Sequence, residues 1–527
     1  MVAKRAHQTK SCAPPVTRRP WLVLAIMCTG FFMSLLDGSI VNVAVPALIH
    51  DLGASYDHVL WVVDGYLLIF SVLLITTGRL GDAFGYRRLY VVGVGVFTAA
   101  SAWCALAGSP DQLLVARLVQ GLGGALLFPQ VISAILTVFP PALRGRAFGM
   151  FGAIVGLAPI IGPVAGGVLL DHLGWRWIFV LNVPVGLATV VLALRCVPPM
   201  RSGRRHRLDL VGVALSTTGL GAITFGLIEG QRYDWGTIAG PVSTTSVITA
   251  GVLLLVVFVA VQHRRGAEPL MPLALFGARN FAVGGGVGFV FQLGMIGIMF
   301  VLVLYLQLAR GYSALQTGLV VLPSAVLTAA SSTWAGRLSD RFGGKYVLMA
   351  GLGGLVLGLL VAMTGPRSSA WDLVPGLVLI GLASGATFAP LQQATMDGVD
   401  PRLAGAASGV SSTIRQVGGV VGTAALGALL SVRLSAAARS EAAERAGGLL
   451  EDLRARFVAD STAAARHYSP PASPSGLDPV VTGRYEQLAA DAFATGFAHA
   501  VRAVLVAAAA LLCVGLRPGT GPAPQAR

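Results

Sequence analysis

Fourteen apolar runs leave this chain one architecture. They lie near residues 21–48, 59–77, 89–108, 112–138, 148–170, 178–197, 209–229, 243–262, 281–306, 316–335, 346–364, 374–396, 404–430 and 492–516. Each is close to the ~20 residues that a helix needs to cross a bilayer. Inside lipid, backbone N–H and C=O groups must be satisfied within the protein, so such runs fold as helices. Of the 527 residues 55% are hydrophobic and 12% charged, roughly half the charge of a soluble chain. The 67 glycines suit helices that pack backbone to backbone. The expected fold class is an all-α polytopic membrane protein.

Charge then orients the spans. The net charge of +15 comes from arginines in short loops, not from a nucleic-acid surface. Arg87, Arg88, Arg144, Arg146, Arg201, Arg204, Arg205, Arg207, Arg264, Arg265, Arg337, Arg341 and Lys345 fall on one side. The intervening short loops hold Asp51, Asp57, Asp111, Asp171 and Asp234. By the positive-inside rule both termini and the arginine loops are cytoplasmic. The basic start of the chain resembles a signal peptide, but the run from Trp21 to Ile49 is too long for one and reads as an uncleaved first helix. Cys12, Cys28, Cys104, Cys196 and Cys513 have no metal-ligand spacing.

A duplication divides the spans. Gly78-Arg79-Leu80-Gly81-Asp82-Ala83-Phe84-Gly85-Tyr86-Arg87-Arg88 follows the second run, and Gly336-Arg337-Leu338-Ser339-Asp340-Arg341-Phe342-Gly343 follows the tenth. Each copy sits after the second helix of a six-helix half, a known transporter plan. The expected units are a cytoplasmic tail at 1–20, a six-helix bundle at 21–207, two inserted helices at 208–265, a second bundle at 266–516 and a cytoplasmic tail at 517–527. Residues 431–491 form an extracytoplasmic loop, helical at first and broken by Pro470, Pro471 and Pro474. In the repeated motif the glycines allow close approach. Asp82 can face the N-terminus of a helix in its own half, and Asp340 repeats it. Arg87 and Arg88 hold the loop at the membrane surface. The motif is expected to act as a conformational latch.

Ionisable side chains inside a bilayer are costly and mark function. At about 1.5 Å per residue, Asp37 lies roughly 24 Å from the cytoplasmic end, and Arg117 and Asp64 lie about 9 Å from the outer one. The three therefore share a layer where a carboxylate can exchange a proton against a guanidinium. Asp64 can equally sit at a wet helix end, with Asp37 and Arg117 merely neutralising each other. Arg415 is deeper, without an acidic neighbour in sequence, and is a candidate for substrate or backbone carbonyls. In the fifth helix Gly152 and Gly156, then Gly162 and Gly166, are GxxxG pairs. Gly162-Pro163 permits a kink.

Together these stretches resemble the major facilitator superfamily across nearly the whole chain. Gly78 to Arg88 looks like its cytoplasmic loop motif. Arg117-Leu118-Val119-Gln120-Gly121 resembles the helix-4 motif implicated in proton transfer. Gly156, Gly162, Pro163, Gly166 and Gly167 resemble the helix-5 antiporter motif, with Ala158 where the family usually has Gly. The fourteen spans, the stretch from Leu36 to Pro46 and Trp175-Arg176-Trp177-Ile178-Phe179 with Asn182, Pro184 and Gly186 are similar to the fourteen-helix drug:proton antiporter branch. The resemblance implies two six-helix bundles plus two inserted helices. It also implies export of hydrophobic, often cationic, drugs or antibiotics across a bacterial plasma membrane, driven by the proton gradient without a cofactor. Asp37 matches that branch's helix-1 carboxylate. The protein is expected to be a monomer that binds no nucleic acid and no metal. The alternative is a major facilitator importer or exporter of a nutrient, metabolite or ion. No nucleotide loop, metal-ligand set or nucleophile–base arrangement points to an enzyme.

Overall fold

In a computed structural model, residues 19–200, 209–230, 233, 235–264, 269–364, 370–449, 451–466, 468, 470–471, 473–474 and 478–515 are described. The two terminal tails, apart from the stubs beside the first and last helices, and the arginines of 201–207 lie outside them. In chain order the long helices are α1 (Pro20–Ile40), α2 (Tyr56–Phe84), α3 (Tyr86–Leu106), α4 (Pro110–Val138), α5 (Pro141–Leu173) and α6 (Arg176–Cys196, interrupted at Leu181). Then come α7 (Leu210–Gly230), α8 (Thr244–Arg264), α9 (Arg279–Leu304), α10 (Ala314–Phe342), α11 (Gly344–Thr364), α12 (Val374–Met396), α13 (Ala404–Arg445) and α14 (Pro479–Gly515). Thirteen of them are long and apolar enough to cross a membrane. With the 33-residue α5 the long helices among the described residues number fourteen.

Local chemistry sets the ends. Ser55, Ser109 and Ser313 cap α2, α4 and α10, each accepting from the backbone N–H three residues on. A serine oxygen there satisfies one of the four N–H groups that a helix start leaves unpaired. α2 and α10 both stop at a glycine in the left-handed region, Gly85 at φ 96° and Gly343 at φ 88°. The two copies of the motif thus turn the chain in the same way, at a conformation that a side chain would strain.

α1 packs against α5 and α6, α2 against α4, and α3 against α4. α10, α11 and α12 pack together, as do α9, α13 and α14. One buried cluster is built mainly from α1 to α6 and another from α9 to α14. α7 and α8 pair with each other, and α7 lies against α2 and α13. α8 leaves Val252, Leu253, Val256 and Val257 bare, as suits a face turned to lipid. The halves meet along α5 with α10 and α2 with α13. Their closest approaches lie towards the end of the molecule that carries Gly85 and Gly343, hereafter the motif end. A Cβ on Gly78 would stand 2.4 Å from the Gly405 carbonyl, and one on Gly336 2.3 Å from the Gly145 carbonyl. The same seam continues upward through Gly149 on Ser332 to Gly156 on Thr328. Beyond that level the tight glycine contacts, such as Gly162 on Ser39 and Gly297 on Gly422, stay within one half.

Two expectations need correction. Residues 431–491 are not chiefly a loop. α13 runs on to Arg445, a further helix spans Glu451–Arg466, and α14 begins at Pro479 instead of near 492. The alanine-rich stretch is a strong helix former, and its apolar face finds partners: Ala442, Leu449, Phe457, Tyr485 and Ala489 form a separate core. The first helix is also shorter than its apolar run, passing through a 3-10 turn at Val41–Ala44 into a short helix, Val45–Leu52.

Phe457 is fully buried and meets Tyr485 edge to face at 5.0 Å. Phe457→Ala should cost the cap about 3–5 kcal/mol. Hydrogen exchange should then speed up across residues 451–466 and stay unchanged in α1 to α6. Unaltered exchange in 451–466 would show that this contact does not hold the cap.

Candidate functional site

Five helices of the first half converge on one carboxylate. Asp37, fully buried on α1, accepts from Arg117 Nη1, from Gln120 Nε2 at 2.9 Å and from Asn182 Nδ2 at 2.8 Å. Arg117 and Gln120 are three residues apart on α4, so they present one face, and Nη1 also donates to Gln120 Oε1 at 2.7 Å. Arg117 Nε donates to the Val62 carbonyl of α2 at 3.1 Å. Gln120 Nε2 donates to Ser101 Oγ of α3 at 2.8 Å. The guanidinium lies 4.3 Å from the Tyr66 ring centroid. The Tyr66 hydroxyl is in turn 2.8 Å from Ser34 Oγ on α1.

Backbone geometry brings these groups together. A Cβ at Gly121 would fall 2.7 Å from the Tyr66 carbonyl, so α4 reaches α2 only with glycine there. The interruption of α6 at Leu181 makes Asn182 the first residue of the helix segment that follows, pointing at Asp37. On α5, a Cβ at Gly162 would fall 1.9 Å from Ser39 Oγ, and one at Gly166 2.7 Å from Ile40. The antiporter-like glycines therefore seat α5 on the turn of α1 just past Asp37. The α5 helix passes through Gly162-Pro163 without a break. Gly156 faces Thr328 of the other half, whereas Gly167 approaches nothing within 4 Å.

The layer counted from the sequence thus holds for Asp37 and Arg117. Asp64 shares that depth but lies on another face of α2. That residue is half-buried on the side of α2 that faces Glu229 of α7, and none of the hydrogen bonds of the Asp37 network reaches it. Trp61, one turn earlier, stacks on Phe225 of α7 at 5.6 Å, so this face of α2 belongs to the contact with the inserted pair. Asn182, Ser101 and Tyr66 were missed. Counting depth would have found Asn182: it is six residues past Arg176, about 9 Å into the membrane and level with Arg117.

The repeated motif is a second site, and its geometry corrects the expectation for Asp82. The helix that Asp82 faces belongs to the other half. Asp82 accepts from the backbone N–H groups of Gly405 and Ala406, both at 2.8 Å, in the first turn of α13. Tyr86 Oη donates to it at 2.8 Å, and Arg79 Nη1 stands 3.5 Å away. Asp340 mirrors the arrangement. It accepts from Gly145 at 2.9 Å and Arg146 at 3.1 Å near the start of α5. In both cases a carboxylate meets the positive end of a helix dipole. Arg87 donates to the Leu194 carbonyl of α6, which ties the turn to its own half, and Arg88 is exposed.

Arg415 lies in the second half, on α13. It is buried, and its guanidinium carbon is 5.8 Å from the Phe128 ring and 5.5 Å from the Phe388 ring. Among the described residues no group of three metal-ligating side chains occurs.

The model of the Major Facilitator Superfamily matches residues 27–423. The chain belongs to this family. It is 38% identical over 432 residues to a probable actinorhodin transporter of Streptomyces coelicolor, covering 80% of this chain and 74% of the relative. It is 34% identical to the tetracenomycin C resistance and export protein of Streptomyces glaucescens, with 79% and 77% covered. It is 36% identical to a puromycin resistance protein of Streptomyces alboniger, with 80% and 83% covered. Among solved structures, the human organic anion transporter TETRAN shares the fold at a TM-score of 0.58 and 13% identity, with 94% of this chain and 99% of that one covered. The bound proton:xylose symporter XylE aligns with the same score and identity, with 94% and 96% covered. This major facilitator is a multi-pass membrane protein.

The two motif carboxylates make the seam testable. Ser133 Oγ of α4 and Ser408 Oγ of α13 are 3.0 Å apart across the halves. A Ser133→Cys/Ser408→Cys pair in a cysteine-free background should cross-link readily. Adding Asp82→Asn should slow the cross-linking by roughly threefold or more, the value of a partly buried charge at a helix end. An unchanged rate would mean that Asp82 does not hold the seam.

Proposed function

We propose that this protein is a proton-coupled antiporter that exports hydrophobic drugs or antibiotics across a bacterial plasma membrane by alternating access. The observation that carries the reading is the Asp37 network. A carboxylate buried in the membrane has its neutralising Arg117 on another helix, with Gln120 and Asn182 as further donors. Removing the charge from such a buried pair changes its stability by about 3–5 kcal/mol. Protonation of Asp37 would therefore free Arg117, Gln120 and Asn182 together and loosen α1 from α4 and α6. The Gly162 and Gly166 contacts extend this to α5, which spans the seam to α10. The proton gradient would supply the drive without a cofactor.

The arginine distribution supports a cytoplasmic motif end with both termini on that side. In that orientation the seam is shut at the cytoplasmic face, the closure that an outward-facing state requires. Such a state would accept a proton from outside and release cargo there. Asp82 and Asp340 would hold this state until the motif end parts. The antibiotic resistance and export proteins among the relatives favour export of a small toxic molecule. The protein would act as a monomer, because each half already finds its partner within the chain.

Asp37→Asn keeps the size of the side chain and removes the titrating proton. Efflux driven by a pH gradient should fall to the level of vesicles without the protein, while the amount in the membrane stays unchanged. Normal gradient-driven efflux in that variant would sink the coupling role of Asp37.

A further inference from the structure

We infer that Arg415 is the anchor of a substrate site for aromatic organic acids, molecules that carry a carboxylate or another ionised oxygen on a planar ring system. This names a cargo class within the export reading and rests on that reading for its physiological sense.

Arg415 stands about 16 Å along α13 from its motif end, so it lies near mid-membrane. It is 6% exposed, yet neither Nη1 nor Nη2 has a hydrogen-bond partner in the protein. The contrast with Arg117 is direct. That guanidinium also sits against aromatic rings, but it has Asp37, Gln120 and the Val62 carbonyl. An arginine does not give up its proton in a protein, and a buried charge without a partner is strongly unfavourable. Along α9 to α12 and the membrane part of α13, the second half offers no carboxylate to meet it; Glu486 and Asp491 of α14 lie near that helix's start, beyond its membrane core. The segments 279–309, 314–339, 344–364, 374–396 and 404–430 contain no Asp or Glu. Asp340, just past one of them, is held at the motif end by Gly145 and Arg146.

The surroundings describe the rest of the ligand. Phe128 of the first half and Phe388 of the second flank the guanidinium. Phe128 stacks on Phe31 at 4.8 Å and on Phe151 at 6.0 Å, and Phe151 lies 6.0 Å from Phe388. These rings bridge the two halves at the level where the close seam ends, so parting the halves would separate Phe128 from Arg415. An aromatic ring can take the place of Phe128 against the same faces, and a carboxylate can accept both Nη hydrogens side by side. Further unpaired donors point the same way. Ser412 Oγ is three residues before Arg415 on α13, and Gln392 Nε2 is one turn beyond Phe388 on α12. Two unpaired guanidinium nitrogens, each a donor without acceptor capacity, select an oxygen anion. They disfavour the cationic drugs that the family resemblance alone suggests.

The test uses three probes with one ring system and different charge: 1-naphthoate, 1-naphthamide and 1-naphthylmethylammonium. Calorimetric titration of the purified full chain in lipid nanodiscs should find 1-naphthoate binding about 10- to 100-fold more tightly than the other two, as expected for a charge-assisted hydrogen bond. Arg415→Gln should abolish that preference, Arg415→Lys should retain part of it through its charge while losing the paired hydrogen bonds, and Phe388→Leu should weaken all three probes alike. The lysine variant and a thermal unfolding scan guard against loss of the fold. The proposal is overturned if 1-naphthoate does not bind best, if no probe binds, or if the preference survives in Arg415→Gln. Gradient-driven transport in everted vesicles, measured in parallel, separates the two readings. Binding of 1-naphthoate without any transport removes the exporter and leaves the site. Transport of neutral or cationic compounds with no preference for acids leaves the exporter and removes the site.

Discussion

Two carboxylates, each accepting from backbone N–H groups near the N-terminus of a helix of the opposite half, are the constraint on which the rest of this structure depends. Asp82 reaches the first turn of α13, and Asp340 reaches the start of α5. Neither contact would form if the backbones stood at ordinary helix-packing distance. Gly78 against Gly405 and Gly336 against Gly145 bring them in. A side chain at any of the four would place a Cβ within 2.6 Å of a facing atom. Charge, helix dipole and glycine are thus one device, used twice because the chain is built twice. α5 and α13 carry the receiving ends. They are also the helices that carry the antiporter-like glycines and Arg415.

This arrangement separates two jobs. Closure is handled at the motif end by groups that touch backbone. Charge compensation is handled nearer the other end by groups that touch one another: Asp37, Arg117, Gln120 and Asn182. α5 joins the two regions, seated on α1 at Gly162 and Gly166 and on α10 from Gly149 to Gly156. A change at Asp37 therefore has a physical route to the seam through a helix whose packing tolerates no side chain at those positions.

Much of this was legible in the sequence, and the rest failed for identifiable reasons. Span count, the two halves and the pairing of Asp37 with Arg117 follow from run length, repetition and rise per residue. They are local or additive properties. The partner of Asp82 was not legible, because dipole arguments say that a helix end attracts a carboxylate but not which end. Asp64 lay at the expected depth but on another face of α2. Depth counting has no azimuth, and only the contact with α7 reveals it. The 431–491 segment was misjudged for the opposite reason. Its prolines suggested a loop beyond a helical start, while its alanines and the buried row of Leu449, Phe457 and Tyr485 make it helical and packed.

α13 is one unbroken helix of 42 residues, about 63 Å from end to end. Its first turn receives Asp82, Arg415 stands about a quarter of the way along, and its last turns hold Glu441 against Arg445 and His499 of α14. A rod of that length is a lever. Tilting it by ~10° about the Asp82 cap would swing its far tip through roughly 11 Å, given the helix rise. The helix Glu451–Arg466 packs beside that tip, so one end of the molecule displays an amplified reading of a hydrogen bond made at the other.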